Sequence, residues 1–201
     1  MKVIGIVCSP RRQGNTEILV QEALESAKAA GAEVELLTLA GKTLAPCDGC
    51  ETCTKTGKCH IDDDMQEVYP KLIEADGIIF GSPIYFWTIT AQAKALIDRT
   101  MPLIVAHRSL SVAPETTHER RHEGLRNKVG GIIVVSKRCG GTLAFEELRA
   151  FLRIHRIIEG GGALAYGGNK GDVRQDEQGM REAGYAGRAV VRTIQQLKSS
   201  P

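Results

Sequence analysis

The chain has 201 residues, of which 42% are hydrophobic and 25% charged, and its formal net charge is +2. This is ordinary globular composition, and the length suits one domain with a single sizeable core. The small net charge and the absence of interleaved basic and aromatic residues argue against nucleic-acid binding. The first eight residues are too few for a signal peptide, and no apolar run reaches membrane-spanning length. We therefore expect one cytoplasmic domain over residues 1–201, without membrane or nucleic-acid partners.

The start of the chain has the strand–loop–helix order that is typical of anion-binding sites. Residues 3–8 form a β-branched apolar run, which predicts a strand buried on both faces of a parallel sheet. A polar loop over residues 9–16 follows, and an amphipathic helix is predicted from about residue 16 to 30. Free N–H groups at a helix start favour phosphate, and the loop adds hydroxyl, amide and guanidinium donors. These donors belong to Ser9, Arg11, Arg12, Asn15 and Thr16. Because the loop has no aspartate, we expect it to bind a monophosphate rather than a magnesium triphosphate.

A cysteine loop over residues 47–59 is the most informative part of the sequence. Its cysteines are Cys47, Cys50, Cys53 and Cys59. Iron–sulfur clusters take four thiolates and favour repeated C-x2-C steps with a looser fourth ligand, whereas structural zinc usually draws two pairs from separate knuckles. Gly49 and Gly57 suit a chain that folds tightly around such a centre. An iron–sulfur cluster is the favoured interpretation, with zinc or unligated thiols as alternatives. We expect His60 to be a solvated loop histidine rather than a ligand replacing Cys59.

The remaining elements alternate regularly between strand and helix. Further strands are predicted over residues 34–39, 77–81, 129–135 and 157–164, and further helices over residues 63–74, 91–99, 143–155 and 177–198. Five β–α units predict an α/β domain with a doubly wound, five-stranded parallel sheet and the cysteine loop after its second strand. Ligands bind such sheets beyond the carboxyl ends of the strands. Functional residues are therefore expected in three loops, residues 9–16, 82–90 and 136–142.

The second and third of these loops suit a flat heterocycle. The second contains Pro83, Ile84, Tyr85, Phe86 and Trp87, although only 4% of the chain is aromatic. Apolar walls with backbone donors are typical of ligand pockets, and the alternative is that the aromatic residues pack under the next helix. The third loop begins with Ser136, and its small residues, including Gly141, allow close backbone approach before a cap for the following helix. Cys139 has no His or Asp beside it and is expected to be inert. No glycine group fits the Walker or G-x-G-x-x-G patterns.

Several of these segments together resemble the iron–sulfur flavoproteins, in the flavodoxin-like group of NAD(P)H-dependent FMN reductases. The segments are residues 9–16, 47–65, 74–85 and 94–99. The resemblance implies FMN, with its phosphate in the first loop, which includes Gln13 and Gly14, and its isoalloxazine against the second and third loops. It also implies a [4Fe–4S] cluster on the four cysteines. Finally, it implies a dimer or tetramer in which a cluster lies near a flavin across a subunit boundary.

These features lead to a hypothesis of function. A cluster moves one electron at a time and FMN one or two, so the leading hypothesis is an electron-transfer flavoprotein that relays electrons between a carrier such as ferredoxin and a second acceptor. No side chain needs to act as an acid or base. An NAD(P)H-dependent FMN or quinone reductase with vestigial or zinc-binding cysteines is the alternative, and a non-enzymatic redox sensor is a third. The polar stretch over residues 109–128 is interpreted as a lid, a subunit contact or a solvated insertion.

Overall fold

A computed structural model describes residues 1–110 and 124–199. The strands are β1 Lys2–Val7, β2 Glu33–Thr38, β3 Gly77–Pro83, β4 Val129–Ser136 and β5 Ile158–Tyr166. The helices are α1 Asn15–Ala29, α2 Thr52–Thr56, α3 Met65–Glu74, α4 Ala91–Asp98, α5 Met101–Leu110, α6 Thr142–Ile154 and α7 Glu177–Ser199, with a 3-10 turn at Asp172–Gln175. Every predicted strand and helix occurs, whereas α2, α5 and the 3-10 turn were not predicted. Most of the polar stretch 109–128 lies outside the described residues.

The five strands form one parallel sheet in the order β2-β1-β3-β4-β5. Alternate side chains of the strands enter two separate cores. Val3, Ile79 and Ile133 pack with α1 and α7, while Ile4, Phe80 and Ile132 pack with α3, α4 and α6 on the other face. This arrangement confirms the predicted doubly wound, flavodoxin-like α/β fold. Because the strand order reverses between β1 and β3, the topological switch point lies at their carboxyl ends.

Two glycines hold α1 close to its neighbours. A Cβ atom on Gly81 of β3 would lie 2.3 Å from Val20 Cγ2, and one on Gly187 of α7 would lie 1.9 Å from the Ala23 carbonyl oxygen. Neither distance is compatible with a side chain larger than hydrogen. The start of α1 is therefore pressed against the carboxyl end of the central strands. None of the described helices is long and apolar enough to span a membrane.

His155 makes the fold sensitive to acid. It caps α6 with 5% exposure, and its Nε2 atom lies 2.8 Å from Thr100 Oγ1. Burial lowers the pKa of His155 to about 4. Because the folded protein holds a neutral ring, protonation favours the unfolded chain, and stability is lost as the pH falls from about 6.5 towards 4. Between pH 7 and pH 5 we expect this one group to lower the free energy of unfolding by about 2 kcal/mol.

The substitution His155→Gln isolates this contribution. Glutamine can still bond to Thr100 but takes up no proton, so the variant should lose less stability than the wild type between pH 7 and pH 5. Urea unfolding of both proteins at the two pH values measures the difference. An equal loss of stability in both proteins would show that His155 contributes nothing to the acid response.

Candidate functional site

The loop between β1 and α1 presents unused donors. Ser9 and Thr16 are both buried, with 4% and 2% exposure. Ser9 Oγ accepts the Arg11 N–H at 3.2 Å, but the Thr16 hydroxyl has no hydrogen-bond partner within residues 1–110 and 124–199. Helix α1 begins after Gly14 without a side-chain cap. A buried hydroxyl left unpaired costs about 1–3 kcal/mol, so the Thr16 side chain and the free N–H groups beside it are suited to an anionic ligand.

A fourth loop, after β5, completes this end of the site. The Asn15 side chain donates from Nδ2 to the Asn169 carbonyl at 2.7 Å and accepts the Gly171 N–H on Oδ1 at 2.8 Å. Gln13 also turns towards this loop, since its Oε1 accepts from Lys170 Nζ at 3.2 Å. The prediction of three functional loops was therefore incomplete. The carboxyl end of β5 lies at the same sheet edge, which was the available signal for the missing loop.

Two cavities run along this edge of the sheet. The first, of about 190 Å³, is lined by Ser9, Arg11, Gly14, Asn15, Thr16, Pro83, Ile84, Tyr85, Val135, Lys137, Gly167 and Gly168. The second, of about 350 Å³, is lined by Ile84, Phe86, Trp87, Ser136, Lys137, Arg138 and Cys139. They share Ile84 and Lys137, so together they suit an elongated ligand with an anionic end and a flat end. Neither Gln13 nor Gly141 is among the lining residues. Gly141 instead lies under Leu164, where a Cβ would approach Cδ1 to 3.0 Å.

The aromatic residues after β3 lie in a strained turn. The Tyr85 N–H donates to the Thr88 carbonyl at 2.9 Å, and the Thr88 N–H donates to the Tyr85 carbonyl at 3.2 Å. Between them, Phe86 and Trp87 have φ angles of 46° and 73°, which makes a type I′ turn that normally favours Asn-Gly. Phe86 is 99% exposed and Trp87 60% exposed, so packing under the next helix is excluded for both. The Thr88 hydroxyl donates to the Glu147 carboxylate, which ties the turn to α6.

Relief of this strain should stabilise the protein. Phe86→Asn places a residue that tolerates positive φ at an exposed position, and we expect the free energy of unfolding to rise by about 1 kcal/mol. Urea unfolding measures the change. Phe86→Ala is the matched control, because it removes the ring but keeps the unfavourable φ. An equal gain from alanine would assign the effect to the exposed ring and not to the backbone.

The four cysteines of the loop lie near one another at the surface. All are free thiols, with Cys47 and Cys50 exposed and Cys53 and Cys59 half-buried. Gly49 and Gly57, each with a φ of 71°, turn the chain on either side of α2. The pKa of the Cys53 thiol is raised first by burial and then by the charges of Cys59, Cys47 and Cys50. A cationic centre bound here would favour the thiolate form of Cys53 that its burial and its neighbours disfavour.

The remaining thiols and His60 have different surroundings. His60 is partly exposed, and its Nε2 atom lies 2.8 Å from Asp48 Oδ2. The potential ligand atoms of Asp48, Cys50 and His60 lie within 4.8 Å of one another, so the His60 ring lies beside the cysteine loop. Cys8 is buried, which raises the pKa of its thiol to about 12. Cys139 is exposed in the wall of the second cavity.

A buried ion pair at the base of the cysteine loop was not predicted. Arg99 and Asp63 are 1% and 5% exposed, and Arg99 Nη1 lies 2.8 Å from Asp63 Oδ2. Asp63 belongs to an acidic run, and Arg99 follows an amphipathic helix. Both patterns are typical of solvated surfaces, so the sequence carries no signal for their burial.

Comparisons with known proteins agree with this geometry. Residues 1–171 match the family model described as NADPH-dependent FMN reductase. An iron–sulfur flavoprotein of Methanocaldococcus jannaschii is 39% identical, over 98% of this chain and 100% of that protein. An iron–sulfur flavoprotein of Methanosarcina thermophila is 31% identical, over 100% of this chain and 98% of that protein. The solved structure of an archaeal flavodoxin is similar with a TM-score of 0.60 at 13% identity, over 97% of this chain and 99% of that one, which concerns the fold alone.

Proposed function

Because the chain belongs to the iron–sulfur flavoproteins, within the family of NADPH-dependent FMN reductases, we propose that it is an electron-transfer protein with FMN and a [4Fe–4S] cluster. It relays electrons between a carrier such as ferredoxin and a second acceptor, as a cytoplasmic dimer or tetramer. The observation that carries this proposal is the presence of four neighbouring thiols in the same domain as a two-part cavity at the sheet edge.

The first cavity suits the phosphate of FMN. The Thr16 hydroxyl, which has no partner among the described residues, and the N–H groups at the start of α1 would donate to the phosphate, and the Arg11 guanidinium would balance its charge. Asn15 has a supporting role, because both ends of its amide are already bonded to the loop after β5. Ser9 holds the loop through its bond to the Arg11 N–H.

The second cavity suits the isoalloxazine. Ile84 and Trp87 supply apolar contact, and Ser136 fixes the opposite loop because its hydroxyl donates to the Cys139 carbonyl at 2.5 Å. The hydrogen bond between Thr88 and Glu147 keeps the aromatic turn in place. None of the described residues that line the two cavities is Asp, Glu or His, and electron transfer through a bound flavin requires no such acid or base.

The cysteine loop suits the cluster. Cys47, Cys50, Cys53 and Cys59 are free and close together, and positive φ angles at Gly49 and Gly57 curve the backbone around them. The exposure of Cys47 and Cys50 leaves one side of the loop open to a partner protein or a second subunit. Together the two cofactors supply conversion between single and paired electrons.

Metal and flavin analysis tests this proposal directly. Protein purified without oxygen should contain about four iron atoms and four acid-labile sulfides per FMN. Reduced ferredoxin should then reduce the bound flavin. Stoichiometric zinc, or FMN without iron, would contradict the relay and favour an NAD(P)H-dependent FMN or quinone reductase, in which NADPH alone reduces the flavin rapidly.

A further inference from the structure

Arg99 is the one buried lysine or arginine within residues 1–105 and 124–199, with 1% exposure. It caps α4, where its N–H donates to the Ala95 carbonyl at 3.1 Å. Its own carbonyl accepts the Tyr69 hydroxyl at 2.6 Å. The backbone at this position is therefore held from two sides. Burial of a guanidinium is strongly unfavourable unless each N–H has an acceptor. The acceptors of Arg99 therefore indicate its structural role.

All five N–H donors of the Arg99 side chain have an acceptor. The acceptors are Cys59 Sγ at 3.2 Å from Nε, the Ala45 carbonyl at 2.9 Å and Asp63 Oδ2 at 2.8 Å from Nη1, and the Ile61 carbonyl at 3.2 Å and Asp63 Oδ1 at 3.0 Å from Nη2. Ala45 lies two residues before Cys47, and Ile61 lies two residues after Cys59. One side chain thus joins the entry of the cysteine loop, its exit and one of its sulfur atoms.

Asp63 completes the network on the side of Arg99 away from the sulfur. Besides its two bonds to the guanidinium, the carboxylate accepts the Ala45 N–H at 2.8 Å and the Met65 N–H at 3.0 Å. The planar fork of arginine matches this carboxylate, and a lysine ammonium could not serve all five acceptor positions. Asp63 neutralises the charge, and the remaining acceptors come from Cys59 and from both arms of the cysteine loop, so the guanidinium is tied to the loop that holds the thiols.

We propose that Arg99 is a positioning residue for the iron–sulfur cluster, whose Nε–H bond orients the Cys59 sulfur and raises the reduction potential of the cluster. This inference rests on the proposed function, because it requires Cys59 to be a cluster ligand. Hydrogen bonds to cluster sulfurs, and positive charge nearby, stabilise the more negative, reduced state. Arg99 also closes the Cys59 side of the loop, whereas Cys47 and Cys50 are open to solvent.

Redox titration of the holoprotein measures this effect. In Arg99→Gln, the cluster should have a lower midpoint potential, with the reduced-to-oxidised ratio about tenfold smaller at a fixed applied potential, which is 59 mV for one electron. Arg99→Lys, which keeps the charge but not the fork, should lie between this variant and the wild type. The FMN potential is the internal control and should not move. Variants with a full cluster and the wild-type potential would overturn the proposal.

Asp63→Asn should shift the reduction potential of the cluster in the opposite direction. The amide has nearly the shape of the carboxylate, but it leaves the charge of Arg99 unbalanced beside Cys59. The cluster potential should therefore rise in this variant, whereas it falls in Arg99→Gln. A fall in both variants would show that the ion pair only holds the loop together, and the tuning role would be wrong.

A measurement on the unchanged protein does not depend on the variants folding. In reduced holoprotein labelled with 15N-arginine, electron–nuclear double resonance should show coupling of an arginine nitrogen to the cluster, and Arg99→Lys should abolish it. An intact cluster with no arginine coupling would overturn this inference alone. A wild-type protein without iron would instead overturn the proposed function.

Discussion

Cys50→Ala should abolish iron binding while FMN binding persists. A [4Fe–4S] cluster requires four thiolates, so iron should fall from about four atoms per subunit to almost none. Cys50 is not among the residues that line the two cavities, so the flavin content should not change. The transfer of electrons from reduced ferredoxin to the flavin should be lost with the cluster. Iron analysis, flavin absorbance and stopped-flow reduction measure the three quantities on one preparation.

Cys139→Ala is the matched control for iron content. Cys139 is also an exposed thiol, but it lies outside the cysteine loop and in the wall of the second cavity. Its removal should leave iron unchanged. If Cys50→Ala still passed ferredoxin electrons at the wild-type rate, the relay through the cysteine loop would be wrong. Equal loss of iron in both variants would point to general damage and not to a four-thiolate site.

Thr16→Val should weaken FMN binding by about 10-fold to 100-fold. Hydrogen bonds to charged groups contribute about 1.5–3 kcal/mol, and valine has the shape of threonine without the donor. Thr16 Cγ2 lies where a Cβ on Gly81 would approach it to 3.0 Å, and valine keeps this methyl group, so the fold should not change. Fluorescence titration of the flavin-free protein with FMN measures the dissociation constant.

Riboflavin separates the phosphate contact from the rest of the site. It has the same ring system without the phosphate, so its affinity should be equal in the wild type and in Thr16→Val. A parallel loss of riboflavin and FMN affinity would mean that Thr16 supports the whole cavity and not the phosphate. Unchanged FMN affinity would place the phosphate elsewhere.

The fold was predictable because its signals are local. Continuous β-branched runs such as residues 3–7 and 132–135 read as strands buried on both faces, and their alternation with amphipathic helices implies a parallel sheet. The cysteine loop was equally visible, since its spacing lies within thirteen residues. The short helix α2 was missed because it lies inside that loop and has no buried residue. The resemblance to iron–sulfur flavoproteins, confirmed by the family comparisons, rested on these same contiguous motifs.

Contacts between distant parts of the chain were not predictable in this way. The bond from Asn15 to the loop after β5 spans 154 residues, and the bond from Arg99 to Cys59 spans 40. The residue type alone does not show whether an arginine or aspartate faces water or a buried partner. The positive φ angles of Phe86 and Trp87 also contradict local preference, and they are maintained by the bonds around Tyr85 and Thr88.

The sequence by itself therefore determined the α/β sheet, the strand–loop–helix order of its first unit and the four-thiol loop. Each depends on side-chain periodicity or on spacing along a short stretch of chain. Only the tertiary structure decided which loops meet at the carboxyl edge, that the Thr16 hydroxyl is left without a partner among the described residues, and that Arg99 reaches Cys59. These depend on how strand order and helix packing bring remote polar groups together, because a buried donor must be paired wherever the topology places it.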